Sequence, residues 1–410
     1  MTTLGHELKQ RGHRVTLVGT LDAQPKVLAA GLEFWAIGEV EFPAGSTADS
    51  LAKLGQLSGL AAFRYTVAFF KQVTSTLLQE APFAIKSAGV EFLIIDQTSF
   101  GGSTVAQLLD LPFVSVCCAL MINRDPNVPP VNTSWRYHPN WWARLRNQAG
   151  NELIAGIAKP ITGLIAEYRQ QWNLPLLRHP NDTFSQLAQL CQQPAEFEFP
   201  RQSLPACFHF TGPYSNPASR EPTFFPFDKL TGKSIIYASM GTVQNRLLGT
   251  FQTIAEACRD LDAQLVIALG GSSTPESLPA LPGSPLVVEY APQLELLQQT
   301  TLTITHAGMN TTLESLSNGV PMVAIPIAND QPGVAARLAW TGAGEVVPLS
   351  RLNIPRLRAA IQRVLTQDSY KNNASRLQEA IRRAGGVSRA ADIIEQATFT
   401  GKPVLSHANR

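Results

Sequence analysis

Residues 305–331, THAGMNTTLESLSNGVPMVAIPIANDQ, constrain the fold of this chain more than any other stretch. The β-branched run 301–304 leads into a turn through Gly308, and a helix opens near Asn310 or Thr311. Asn318-Gly319, with Pro321 beyond, supplies the stop signals of a helix end. A second apolar run, 320–327, follows at once. Strand, glycine turn, helix, strand is one βαβ unit, and its polar residues gather where the first strand hands over to the helix.

That handover lies at the carboxyl end of a parallel strand, beside helix amides that have no intrahelical partner. An anion is favoured there by hydrogen bonds and by the helix dipole. Gly308 lacks a Cβ and lets a phosphate approach the main chain. His306 and Asn310 add donors, and Glu314 lies one turn beyond Asn310 on the same face. A carboxylate there can accept from the hydroxyls of a ribose, so the pattern suggests a nucleotide. A second reading stays open on spacing alone: Thr311-x-x-Glu314 is also a capping box.

With 410 residues, the chain exceeds one ordinary core and suits two large domains. A formal net charge of +2 without a long basic run gives no reason to expect nucleic acid as partner. Five cysteines, Cys117, Cys118, Cys191, Cys207 and Cys258, show no C-x-x-C spacing. Neither a disulfide framework nor a zinc site is indicated, and a reducing, cytoplasmic setting is expected. No apolar run reaches the ~20 residues that cross a bilayer, and no secretory signal is visible at the start. Contact with a membrane would therefore be peripheral, on its inner face.

A helix over 1–10, with Leu4 and Leu8 on one side, precedes a strand at 15–18. Doubly wound folds normally open with a central strand, so a strand and its functional loop are expected upstream of Met1. A helix and short strand occupy 24–37, and 50–88 is mostly helical. The continuous apolar run 92–95 reads as a buried parallel strand with Asp96 at its carboxyl end. A helix near 102–109 and a strand at 113–116 follow. The segment 119–142 then becomes a proline-rich loop carrying Trp135, Tyr137, Trp141 and Trp142 among Arg136, Arg144 and Arg146. Such a loop can wall an apolar substrate cleft, rest on a membrane, or bury its rings against the sheet.

Helices are expected over 143–172 and a strand near 206–210. The expected plan is an N-terminal domain over 1–212, a linker over 213–230, a second α/β domain over 231–385 and a helix with tail over 386–410. In the second domain, polar clusters follow successive strands: Ser239 to Thr242 with Gly241 between them, Tyr290 to Gln293, His306 to Glu314, and Asp330-Gln331. A parallel sheet brings such clusters to one edge, and a cleft between two domains is a common place for substrates.

From about residue 234 to 331 the chain resembles the UDP-glycosyltransferases of the GT-B fold, including bacterial macrolide and carotenoid glucosyltransferases. The resemblance implies an α/β protein of two Rossmann-like domains facing a cleft, with a UDP-sugar as donor co-substrate and no tightly bound cofactor. It implies that His306 binds the pyrophosphate, with Gly308, Asn310 and Thr311 adding donors, and that Glu314 holds the ribose diol. The main chain of Ala291 would meet the uracil edge, Tyr290 would lie beside the base, and Gln293 near the ribose. Many plant relatives carry Trp at the Tyr290 position. Asp330 and Gln331 would take hydroxyls of the donor sugar, and Thr242 would approach its phosphate or the reaction centre, beside Ser239 and Gly241.

In the same family a His after the first strand deprotonates the acceptor and an Asp orients it. Asp96 matches the Asp, whereas the His motif would fall before Met1; His6 and His13 do not match and read as structural. The implied reaction is a single inverting transfer of a hexose, glucose first among them, to a hydroxyl of an apolar small molecule. No metal is called for, and Asp260-x-Asp262 reads as a solvated turn. Two rivals are a nucleotide-sugar epimerase and a nucleotide-sugar-binding protein without turnover.

Overall fold

Two separate blocks of parallel strands divide the computed structural model, which describes all residues except 55–56, 58, 217–222, 242–247, 272–273 and 407–410. The first block runs α1 (Thr2–Gln10), β1 (Thr16–Gly19), α2 (Gln24–Ala29), β2 (Glu33–Ala36), α3 (Ser46–Leu54), α4 (Gly59–Ser87), β3 (Leu93–Asp96), α5 (Gly102–Leu108), β4 (Phe113–Cys117), α6 (Trp141–Gln171), β5 (Gln189–Cys191) and β6 (Phe208–Phe210). The second runs β7 (Ile235–Ser239), α7 (Leu248–Cys258), β8 (Gln264–Ala268), β9 (Leu286–Val288), α8 (Gln293–Leu297), β10 (Thr300–Thr305), α9 (Met309–Ser317), β11 (Met322–Ala324), α10 (Gln331–Thr341), β12 (Gly344–Val346), α11 (Ile354–Thr366), α12 (Asp368–Ala384) and α13 (Gly386–Thr400).

The second block is one six-stranded parallel sheet in the order β12-β11-β10-β7-β8-β9. Its central strands are apolar on both faces because helices cover both: all five residues of β7 are buried, and so are five of the six in β10. The register pairs Thr305 with Ser239 on one side and with Ala324 on the other, so three carboxyl ends finish level. That edge carries the polar clusters read from the sequence.

In the first block, β3-β4-β5-β6 form a four-stranded parallel sheet and β1-β2 a separate pair. The run ending at Asp96 was expected to be buried, yet every residue of β3 is partly exposed, because β3 is an edge strand that pairs, among the described residues, with β4 alone. β4 and β5 are sealed instead. β5 escapes sequence reading: three residues, Gln-Leu-Cys, are too short to show a period. The helices expected over 143–172 are one continuous helix, α6, which passes through Pro160.

The last elements return to the first block. Ala390, Ala391, Ile393, Ile394 and Ala397 of α13 share a core with Leu4, Leu8, Val114 and Leu190. Arg11 holds Asp392 and Glu395, and the Val404 amide donates to the Leu187 carbonyl at 2.8 Å. His13 is paired with Glu395 at 2.9 Å and His6 with the Ala30 carbonyl at 3.0 Å, so both serve packing. The two blocks also meet directly: Leu120 and Phe197 are buried in the cluster built by α9, α10 and α12.

Candidate functional site

The site grows from the end of β10. Thr305 Oγ1 accepts from the Ala307 amide at 3.2 Å, and Ala307 takes a left-handed turn at φ 64°. Gly308 has ordinary angles, φ −64° and ψ 138°, and is the N-cap of α9 without any side-chain cap. The helix therefore starts one or two residues before the sequence suggested. Thr311 lies inside it, so the capping-box alternative is overturned: Glu314 has no helix start within reach and turns elsewhere.

What makes Gly308 necessary is its neighbour. A Cβ on Gly308 would lie 2.7 Å from His306 Cε1, and one on Gly241 would lie 2.7 Å from both Cε1 and Nε2. Gly241 also has φ 78°, which suits glycine. The imidazole is thus slotted between two bare Cα atoms, one after β7 and one at the mouth of α9. Burial pushes its pKa down to about 4, although a hydrogen bond to the Ser239 main chain works against this. The ring is neutral at physiological pH. Its Nδ1 is buried without a hydrogen-bond partner among the described residues. A neutral imidazole whose Nε2 edge lies against Gly308 at the start of α9 is an arrangement suited to an anionic ligand.

Glu314, 4% exposed, accepts from Gln293 Nε2 at 2.6 Å. Gln293 Oε1 in turn accepts from Tyr237 Oη at 3.1 Å and from Thr311 Oγ1 at 3.5 Å. Residues from β7, α8 and α9 are joined here, although the sequence sets Gln293 and Glu314 in separate clusters. Tyr237 was missed; the available signal was a tyrosine inside a buried strand, whose hydroxyl must find a partner. Tyr290 is 50% exposed, with its hydroxyl packed over Gly271, and Ala291 rests on the β7-β8 face. Asn310 is exposed at the start of α9. Thr242 lies outside the described residues.

Asp330 and Gln331 are engaged more than the sequence implied. Asp330 Oδ2 accepts from the Leu120 amide at 3.1 Å, across from the first block. Burial raises its pKa, with the Leu120 amide opposing. Gln331 Oε1 accepts from the amides of Ile327 and Ala328 at 2.9 and 3.0 Å, which fixes the loop before α10. On the other side, Asp96 Oδ1 accepts from the Thr98 amide at 2.7 Å and from its hydroxyl, while Oδ2 is buried without a hydrogen-bond partner among the described residues. The adjacent Cys118 thiol is pushed up to about 12, by burial and then by Asp96 despite the opposing Met1 amine.

The aromatic loop divides. Tyr137 stacks on Phe199 at 5.5 Å and meets Trp340 of α10 edge-on, while Trp135 lies under Arg146 at 4.8 Å. Trp141 and Trp142 face solvent. Asp262 is exposed and paired with Lys233, and no cluster of three or more metal-ligating side chains occurs among the described residues.

Residues 170–383 match the family model described as "UDP-glucoronosyl and UDP-glucosyl transferase". The chain is 35% identical over 409 residues to the zeaxanthin glucosyltransferase of Pantoea ananas, spanning 99% of this chain and 94% of that one. It is 33% identical to the zeaxanthin glucosyltransferase of Pseudescherichia vulneris, over 96% and 93% of the two chains. Among solved structures, the glycotransferase of kitacinnamycin superposes with a TM-score of 0.75 at 22% identity, covering 96% of this chain and 94% of that one. That likeness establishes the GT-B architecture of two Rossmann-like domains.

Proposed function

Because the chain belongs to the UDP-glucoronosyl and UDP-glucosyl transferase family and is a UDP-sugar-dependent glycosyltransferase acting on a lipophilic acceptor, we propose that it moves glucose, in one inverting step, to a hydroxyl of a carotenoid-like alcohol. The names of the two zeaxanthin glucosyltransferases support the choice of sugar and acceptor. The observation that carries the site assignment is the His306 ring held between Gly241 and Gly308 at the uncapped mouth of α9.

In this reading the diphosphate lies on the α9 amides with His306 as a neutral donor, helped by Asn310, Thr311 and, after β7, Ser239, Gly241 and Thr242. Glu314, oriented by Gln293, accepts from the ribose hydroxyls. Tyr290 lies along the uracil face, and the Ala291 main chain reads its edge. Gln331, its carbonyl fixed by the loop, keeps its amide for a sugar hydroxyl, and Asp330 takes another while it holds Leu120. As the acceptor oxygen bonds to the anomeric carbon, the bond from that carbon to phosphate breaks and its electron pair leaves with UDP. Fixed donors at the helix mouth stabilise the charge that develops there. Asp96, whose Oδ2 is buried without a hydrogen-bond partner among the described residues, would orient the group that takes the acceptor proton.

We place the acceptor-binding unit at residues 1–212 together with the returning segment 386–406, and the donor-binding unit at 231–385. Shared burial of α1 and α13 supports that division. The function is tested by incubating the full chain with UDP-glucose and zeaxanthin and following glucoside formation by mass spectrometry. Release of UDP only when acceptor is present supports transfer. Sugar isomerisation without acceptor would establish the epimerase instead, and binding without product the non-catalytic rival. Asp96→Asn should lower kcat by about 10² to 10⁴ if it orients the base, with UDP affinity unchanged.

A further inference from the structure

We propose that the start of α6 docks the protein onto an anionic lipid surface. Trp141 and Trp142 stack on each other with centroids 4.0 Å apart, yet are 61% and 66% exposed. Leu145 and Leu153, also largely exposed, stand four and twelve residues beyond Trp141. Each step of four drifts by about 40° on a helix, so residues 141, 145, 149 and 153 spread over a face about 120° wide that also holds Trp142 and the exposed Glu152. No described element covers this face, and the helix has its polar cap in order: Asn140 accepts from the Ala143 amide at 2.8 Å.

Charge identifies the occupant. Exposed Arg144 lies beside this face and exposed Lys159 at its far end, and Arg146 is fixed nearby by the Trp135 ring and the Arg136 carbonyl. The first acid of the helix, Glu152, faces Arg124 at 3.9 Å. Tryptophan with cations beside it is the composition that seats a helix at the level of lipid headgroups. A second copy packed on the same face would bring these cations against their own duplicates, which disfavours self-association. No helix among the described residues is long and apolar enough to cross a membrane, so the contact is superficial. The docking surface stands independently of the transferase assignment, although a bilayer is where an apolar acceptor dissolves.

The test is flotation of the full chain, without nucleotide or acceptor, on vesicles of phosphatidylcholine with phosphatidylglycerol and on phosphatidylcholine alone. The protein should float with the anionic vesicles and be released by salt. Trp141→Ser with Trp142→Ser, Leu153→Asp alone, and Arg144→Glu with Lys159→Glu should each cut the bound fraction by on the order of tenfold. Circular dichroism and turnover of a water-soluble acceptor should be unchanged in all three. Absence of the wild type from anionic vesicles, or wild-type flotation of the variants, would overturn the proposal. So would a concentration-dependent dimer that the tryptophan variant abolishes, since that would make the face a contact between copies.

Discussion

Gln293 donates to Glu314 across 2.6 Å and thereby ties the start of α8 to the second turn of α9, twenty-one residues further on. The same glutamine receives Tyr237 from the sheet beneath, so the carboxylate is aimed by a chain of hydrogen bonds that begins in a buried strand. If Glu314 holds the ribose, Glu314→Ala should weaken UDP binding by about 1 to 3 kcal/mol, the scale for hydrogen bonds to a charged group. Tyr237→Phe, which only loosens the aim, should cost about 1 kcal/mol or less. Titration calorimetry with UDP decides it; unchanged affinity in Glu314→Ala would place the ribose elsewhere.

Gly308 tests whether the imidazole is wedged as described. Its backbone angles are open to any residue, so alanine there suffers only the collision with His306. Gly308→Ala should lower stability by about 1 to 3 kcal/mol, the usual scale of overpacking. Adding His306→Ala should recover most of that loss, because the obstructing ring is gone, while UDP binding stays weak in both. Denaturant melts of the two singles and the double give the coupling directly. A double variant no more stable than Gly308→Ala would show that the ring is not the obstacle.

The βαβ unit and the gathering of polar residues at its mouth were legible because periodicity, glycine and stop signals all act within a few residues. Contacts that join distant segments were not. Nothing near Asp330 announces that it accepts from the Leu120 amide, 210 residues away. A second demand on Gly308 was equally hidden: local logic gives it to a phosphate, and the structure adds the His306 ring that must also fit beside it. β3 looked like a sealed strand because apolar residues fill both its faces, and only pairing reveals that it is an edge. Trp135, Tyr137, Trp141 and Trp142, alike in sequence, end on a guanidinium, at the junction of the blocks and in solvent.

His306 should leave a mark on acid stability. Its folded pKa of about 4 lies below the ordinary 6.5, so the unfolded chain takes up a proton that the folded chain resists. The contribution is complete above about pH 6.5 and is lost as pH falls toward 4, up to about 3 kcal/mol. His306→Asn should flatten the stability profile in that window relative to wild type. Carboxylates held below their ordinary range, such as Glu345 beside Arg363, act at lower pH. Urea melts at half-unit steps from pH 4 to 8 check this; parallel profiles would mean that the ring is solvated.

The junction of the blocks rests on Glu198 and Arg337. Both are buried, with Nη2 to Oε1 at 2.6 Å and Nε to Oε2 at 2.9 Å, and Arg201 and Gln193 occupy the same carboxylate. Burial drives the Glu198 pKa upward, but the two arginines outweigh it and hold the group below the usual carboxylate range. Arg337 also lies over the Phe199 ring at 4.4 Å and donates to the Gly333 carbonyl, three residues after Asp330. Arg337→Met removes charge-assisted hydrogen bonds and the Phe199 contact but leaves Glu198 paired with Arg201, so it should cost about 1.5 to 3 kcal/mol. Glu198→Gln with Arg337→Met leaves the buried Arg201 guanidinium without its carboxylate and should cost more than the single change. Because the pair anchors the helix that begins at Gln331, the single variant should also raise the KM for UDP-sugar. Thermal melts and initial rates measure the two effects; a single variant as stable as wild type would show that the blocks are held together elsewhere.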